Sequence, residues 1–224
     1  MNPANPTAEA IRIAATTPHP PAPWTMDGVW VFSVHPVRRS LASAQLPAPL
    51  RPLWLPAGRT LGWSFISQYG PGSTLQYQEA ACGLVLRQGA RPALWISGLV
   101  VDSPSSVAGG RNLWGLPKEL ADIAWASAER ARASAAQNGA LLLSFEGVPG
   151  HAPGLPYKLR FDALTVADGK VKRIPASFDG RIGITRRLRP FFPASGAWSA
   201  FGVSGYSISG LGRGVATFGQ LEDA

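Results

Sequence analysis

The sequence predicts a mainly β domain, antiparallel and barrel-like, with a small helical component. Three observations lead there. The 224 residues include 25 glycines and 21 prolines, a density that favours many turns and short strands over long helices. Hydrophobic residues make up 46% of the chain, with eight Trp and nine Phe, enough to fill one sizeable core. Runs rich in β-branched and aromatic residues recur along the chain, separated by short turn signals.

Residues 1–23 carry six prolines, which donate no backbone hydrogen bond and resist regular pairing. This predicts an N-terminal arm, lying on the surface or disordered, ahead of a single domain over residues 24–224. Residues 29–35 (VWVFSVH) read as the first strand and 38–45 as a short helix, closed by Pro47-Ala48-Pro49. A strand over 61–69 ends at Gly70-Pro71-Gly72, and 75–87 with 92–101 form a hairpin around Gln88-Gly89-Ala90. Strands follow over 122–127, 140–148, 157–166 and 170–174, the last two joined by the turn Ala167-Asp168-Gly169. Residues 126–137 (ASAERARASAAQ) have helical propensity yet fit equally as two strand ends of a meander. From 201 to 218 the recurring glycines suit turn-rich final strands, and no solenoid or propeller repeat is present.

Composition excludes several classes of function. Cys82 is the one cysteine, so neither an internal disulfide nor a cysteine-based zinc cluster can form, and a reducing, cytoplasmic setting is expected. The N-terminus has no basic-then-apolar signal pattern. No run approaches the roughly 18 apolar residues of a membrane span, so a soluble protein without a membrane partner is expected. Net charge is +8, from 17 Arg and four Lys against 13 acids. The arginines are scattered, and the densest run (Arg181, Arg186, Arg187, Arg189) reads as a solvated face or subunit contact. With no nucleic-acid-binding motif, that class of partner is not expected. His35 reads as a strand residue with a satisfied ring or one turned into a cavity. His19 and His151 sit in Pro/Gly surroundings, so no metal site is expected. The stretch Gly210-Leu211-Gly212-Arg213-Gly214 lacks the lysine and hydroxyl of a phosphate loop.

The lysines narrow the chemistry. Lys170 and Lys172 flank a hairpin turn, and Lys158 alternates with apolar residues in a strand. Lys118 instead follows Gly109-Gly110-Arg111-Asn112-Leu113-Trp114-Gly115-Leu116-Pro117. A lysine attacks carbonyl carbon only as the free amine. Lowering a reference pKa near 10.4 to about 7 means disfavouring the ammonium by roughly 4–5 kcal/mol. Trp114, Leu116 and Leu120 supply the apolar surroundings such activation requires. Glu79 is the sole acid between Asp27 and Asp102, in an otherwise apolar strand, where it reads as a solvated turn group or as a placed acid/base.

These residues carry a resemblance. Gly110-Arg111 followed by Trp114-Gly115-Leu116-Pro117-Lys118 resembles the lysine signature of the acetoacetate decarboxylase family, and Tyr77-Gln78-Glu79 resembles that family's Tyr-x-Glu strand. The resemblance implies a Schiff-base-forming lyase with Lys118 as nucleophile and Glu79 as acid/base. Arg111, Trp114 and Arg38 would bind the substrate, a β-keto acid or related small carbonyl compound, although Arg111 after two glycines reads equally as a structural partner of a carboxylate. It also implies no added cofactor and assembly as a homo-oligomer. Decarboxylation of acetoacetate is the first expectation, an imine-dependent aldolase or dehydratase the second; a noncatalytic small-ligand barrel is the alternative from another class. Three features depart from the pattern: the arginine that the family places near the first core strand is displaced downstream, to Arg38 and Arg39 after His35-Pro36-Val37. Glu119 stands where a second lysine is common, and Asn112 replaces the acid that follows Gly-Arg. If Lys118 and Glu119 lie in an extended segment, their side chains point to opposite faces.

Overall fold

A computed structural model describes residues 6–48, 50–88, 91–126, 131–147, 154–167 and 169–224. The chain begins with helix α1 (Ala8–Thr16), then strand β1 (Trp24–Arg38), α2 (Arg39–Ser43), β2 (Arg59–Tyr69), β3 (Tyr77–Gln88) and β4 (Arg91–Val101). Helix α3 (Pro104–Trp114) leads into β5 (Lys118–Leu120), β6 (Asp122–Ala126), β7 (Ala131–Gln137) and β8 (Ala140–Gly147). The remainder is β9 (Leu155–Ala167), β10 (Lys170–Thr185), β11 (Leu188–Phe191), a 3-10 turn at Ser199–Phe201, β12 (Ile208–Phe218) and β13 (Glu222–Asp223).

The main sheet closes on itself. Strand β12 pairs with both β1 and β10, so the order β12-β1-β2-β3-β4-β9-β10 returns to β12 as a seven-stranded barrel. Its neighbours are antiparallel except β4 and β9, which run parallel at Ala93↔Asp162 to Trp95↔Leu164. This departs from the purely antiparallel expectation for a topological reason. Between β4 and β9 the chain makes a long excursion through α3, β5 and the strands β6, β7 and β8 of the smaller sheet β11-β8-β7-β6, so no hairpin links the two strands.

Because side chains alternate across a strand, each barrel strand feeds two cores. One face of β1 places Val31 and Val37 in a cluster with Ile66, Leu84 and the smaller sheet's Leu143 and Phe145. The other face places Trp24, Met26 and Trp30 in the lumen with Trp63, Tyr69, Tyr77 and Leu99. His35 belongs to the outer core. Its Nε2–H donates to the Phe201 carbonyl at 2.9 Å, so Nδ1 accepts from the Ser33 hydroxyl, also at 2.9 Å. Burial lowers its pKa to about 4 and keeps the ring neutral. His35 is therefore a satisfied core residue rather than one turned into the lumen.

Two segments differ from the sequence expectation. The N-terminal arm contains a regular helix: Thr7 caps α1 by accepting from the Ala10 N–H, and Ala10 and Ile13 are buried in the luminal cluster. The prolines that suggested an irregular arm are confined to the ends of the segment, leaving the alanine-rich stretch between them free to coil. Ahead of Lys118, α3 forms despite two internal glycines. Ser103 is its N-cap, Pro104 occupies the first turn, and Gly115 closes it in the left-handed conformation at φ 63°. Residues 131–137 resolve the ambiguous stretch as strand; 127–130, the turn residues 89–90 and Asp168 lie outside the described residues.

Candidate active site

Lys118 enters the lumen from β5, which pairs in parallel with β4 through Leu99↔Lys118. Helix α3 caps the barrel and packs directly over the lysine. A Cβ on Gly110 would come within 2.4 Å of Lys118 Cδ, and one on Gly109 within 2.3 Å of the Trp24 ring. The two glycines that look unfavourable in a helix are what let it approach so closely. The Leu116 N–H bonds the Gly110 carbonyl at 3.0 Å and turns the chain from helix to strand.

Lys118 is 3% exposed. Its Nζ donates to Glu79 Oε2 at 2.8 Å, the Ser106 hydroxyl at 2.9 Å and the Tyr77 hydroxyl at 3.1 Å. It lies 4.9 Å from the centroid of the Tyr77 ring and 5.6 Å from that of Trp24. Glu79 in turn accepts from the Tyr77 hydroxyl at Oε2, 3.1 Å, and from the Tyr69 hydroxyl at Oε1, 3.2 Å. Burial, then the neighbouring Glu79 charge, pushes both phenols well above their ordinary range, so they remain neutral donors. The result is a buried lysine–carboxylate pair in which Lys118, Glu79, Tyr69, Tyr77 and Ser106 each have a hydrogen-bond partner within the cluster.

The other nominated residues are not at the amine. Arg111 turns away from the lumen: its Nε donates to the Lys118 carbonyl at 2.7 Å and its Nη2 lies 3.5 Å from Glu119 Oε1. Burial lowers the Arg111 pKa, partly offset by the Glu119 charge. Trp114 lies one layer behind the site. It meets Trp24 edge to face at 4.9 Å and donates to the Gly219 carbonyl at 2.9 Å. Arg38 is exposed at the far end of β1 from Trp24, beside Arg59, where it borders a groove of about 610 Å³ with Phe191 and Phe192. The displacement of Arg38 follows from strand length, since β1 extends well past residue 35 and carries the arginine away from the lysine. Among the described residues no arginine side chain bonds the Lys118 amine or the side chains of Glu79, Tyr77 or Ser106.

Glu119 occupies the opposite face of β5, as extended geometry requires. Its Oε1 accepts from the Thr7 N–H at 3.0 Å and its Oε2 from Gln137 Nε2 at 3.1 Å. In the position where a second lysine is common, this chain has a carboxylate that ties α1 and β7 to the lysine strand.

Sequence reasoning missed Tyr69, Ser106 and Trp24. Tyr69 faces Tyr77 across the β2–β3 pair, so reading that hairpin register would have nominated it. Ser106 lies in the first turn of α3, which the Ser103-Pro104 helix-start signal would have located. Trp24 stood at the domain boundary with no local mark of function.

Fold and site together define a closed β-barrel protein with a lysine–carboxylate pair buried in its lumen and a glycine-bearing helix as cap. The chain belongs to the acetoacetate decarboxylase family, whose model matches residues 9–192. No curated protein matches the sequence. Among solved structures it is similar to acetoacetate decarboxylase from Legionella pneumophila subsp. pneumophila str. Philadelphia 1, at 15% identity and a TM-score of 0.67, covering 99% of this chain and 97% of that one. It is also similar to the enduracididine biosynthesis enzyme MppR in complex with pyruvate (17%, 0.61, covering 93% and 91%). A third is an acetoacetate decarboxylase-like enzyme from Sphingomonas wittichii RW1 (16%, 0.61, covering 90% and 91%). At these identities the likeness is one of fold.

Proposed function

We propose that this chain is a Schiff-base-forming lyase acting on a β-keto acid or related carbonyl compound, with Lys118 as nucleophile and Glu79 as its proton partner. The observation that carries the reading is the 2.8 Å contact between the Lys118 amine and Glu79 inside a barrel that screens both from water. Glu79 takes a proton from the ammonium, and the free amine attacks the substrate carbonyl carbon. The carbinolamine oxygen, hydrogen-bonded by the adjacent hydroxyls of Tyr77 and Ser106, takes the proton back from Glu79 and leaves as water, giving an iminium and an ionised Glu79. For a β-keto acid, the electrons of the breaking C–C bond flow into that iminium as CO2 departs. A solvent proton taken up by Glu79 then passes to the enamine carbon, and water hydrolyses the second iminium to release ketone and the Lys118 ammonium.

A second reading keeps the imine and changes the bond broken. With no arginine bonded to the amine cluster among the described residues, the lumen offers no guanidinium clamp beside Lys118 for a substrate carboxylate. This favours aldol or dehydration chemistry on a keto compound, and the structural likeness to a pyruvate-bound enzyme makes pyruvate a sensible probe.

Borohydride reduction in the presence of acetoacetate or pyruvate, followed by peptide mass mapping, tests both readings. The expected result is a reduced adduct on Lys118 and none on the Lys118→Met protein. An adduct confined to other lysines, or none against a working control enzyme, would sink the imine. Release of CO2 from acetoacetate then separates decarboxylation from the alternative.

A further inference from the structure

We infer that the lumen accepts substrates carrying an extended apolar substituent, larger than the methyl group of acetoacetate, which lies along the barrel and away from α3. This rests on the Schiff-base reading for the position of the carbonyl. The register of the barrel strands supplies the argument.

Glu79 faces Ser67, Ser67 faces Trp30, Trp30 faces Gly212, and Gly212 faces Ile182. These positions share one face of the sheet, the luminal face. Two residues further along each strand, the next row is Ala81, Phe65, Phe32, Gly210 and Ile184. The row beyond it holds Gly83, Trp63, Val34 and Ile208. Two rows extend about 13 Å at roughly 3.3 Å per residue. Apart from Glu79, the luminal positions of these strands within residues 24–34, 63–69, 77–85, 155–163, 174–184 and 208–218 carry no charged side chain. The charges of the same strands point outward, as with the Lys158–Asp179 pair at 2.7 Å.

The two ends of the lumen differ. Around α3, the luminal residues Trp24, Met26, Val101 and Ile174 are buried. At the other end Leu155, Ile184 and Ile208 are 75, 54 and 59% exposed although they face inward. That end is where a ligand reaches the lysine. Strand β12 presents glycine at three successive luminal positions; a Cβ would run into the Gly183 carbonyl and Phe32 ring at Gly210 and into the Asp179 carbonyl at Gly214, so the space lies at Gly212. A Cβ on Gly212 would meet nothing closer than 3.9 Å, with Trp30 and Phe178 among the atoms at that distance. Trp63 and Phe65 stack on β2, two strands from β12, with 5.8 Å between centroids. Aromatic side chains around the open position at Gly212 suit an aryl or medium-length alkyl group.

The test pairs two readouts on the wild-type protein. Borohydride trapping at Lys118 is compared for acetoacetate, 3-oxooctanoate and 3-oxo-3-phenylpropanoate, and calorimetry compares butanoate with octanoate, which form no imine. At about fourfold per fully buried methylene, four added methylenes are expected to give at least about a thirtyfold preference in both readouts. Gly212→Leu, which fills the bare wall, is expected to cut that preference tenfold or more. Ile184→Glu, at the exposed mouth, reduces it in a protein whose core is untouched. Equal trapping of short and long keto acids on Lys118 overturns the inference and leaves the imine standing. Octanoate preference lost in Gly212→Leu, with no adduct from any carbonyl compound, supports the apolar lumen and sinks the imine. No chain-length preference in either readout and no adduct ends both.

Discussion

Glu79 accepts hydrogen bonds from Lys118, Tyr77 and Tyr69, so the charge of the carboxylate is held by three buried donors. Removing one partner of a buried ion pair strands the other, at about 3–5 kcal/mol. Glu79→Gln is therefore expected to lose that much stability in urea denaturation, together with imine trapping. Lys118→Met combined with Glu79→Gln should recover part of the stability, because no charge is then left unpaired. An additive double variant would argue against the pair. His35 makes a separate prediction. Its folded pKa of about 4 lies below the unfolded value of 6.5, so the neutral ring contributes its full stability above pH 6.5. That contribution, about 3 kcal/mol, is lost as pH falls from 6.5 towards 4. Urea midpoints at pH 7 and 4.5 should fall further for the wild type than for His35→Gln. At this scale the sequence spoke clearly for Lys118 and Glu79, which stood out by rarity in apolar surroundings. It was silent on Tyr69, Ser106 and Trp24, whose residue types are ordinary in a core and whose meaning comes from register alone.

At the level of elements, α3 is what converts a lysine on a short strand into a buried amine. Gly110→Ala tests the fit, since its methyl group would sit 2.4 Å from the lysine stem. The helix itself gains propensity from alanine, by about 1 kcal/mol, so a purely local view expects stabilisation. The expectation here is the reverse: lower stability and at least a tenfold loss of trapping, read by denaturation and mass mapping. Strand positions along β2, β3, β4, β8 and β9 were legible from β-branched and aromatic runs. The length of β10 was not, because its second half (SFDGRIGIT) mixes glycines and charges whose alternation makes sense only with β9 and β12 on either side. Helix α3 was unreadable for a related reason. Its glycines lower local propensity, and the compensation is packing against Trp24 and Lys118, partners far away in sequence.

For the whole molecule, ring closure is the controlling event. Pairing of β1 with β12 joins residues 24–34 to 208–218, and β10 completes the ring from the other side. A protein ending at residue 207 is expected to lose its cooperative unfolding transition by circular dichroism, since both β1 and β10 would keep unpaired edges. Retention of a sharp transition would show that the open sheet is stable alone. The barrel-like character was legible from strand count and short turns. The parallel β4–β9 junction was not, because which strands meet after a long excursion depends on how the smaller sheet packs, not on either strand's sequence.

Trp24, the ring above the lysine amine, pairs in register with Phe218 of β12. During synthesis the lysine leaves the ribosome long before β12 does, and until residues 208–218 follow, the wall that completes its chamber does not exist. The amine is thus an ordinary, water-exposed lysine from its own emergence until β12 is in place, and it acquires its enclosed surroundings only as that strand is added.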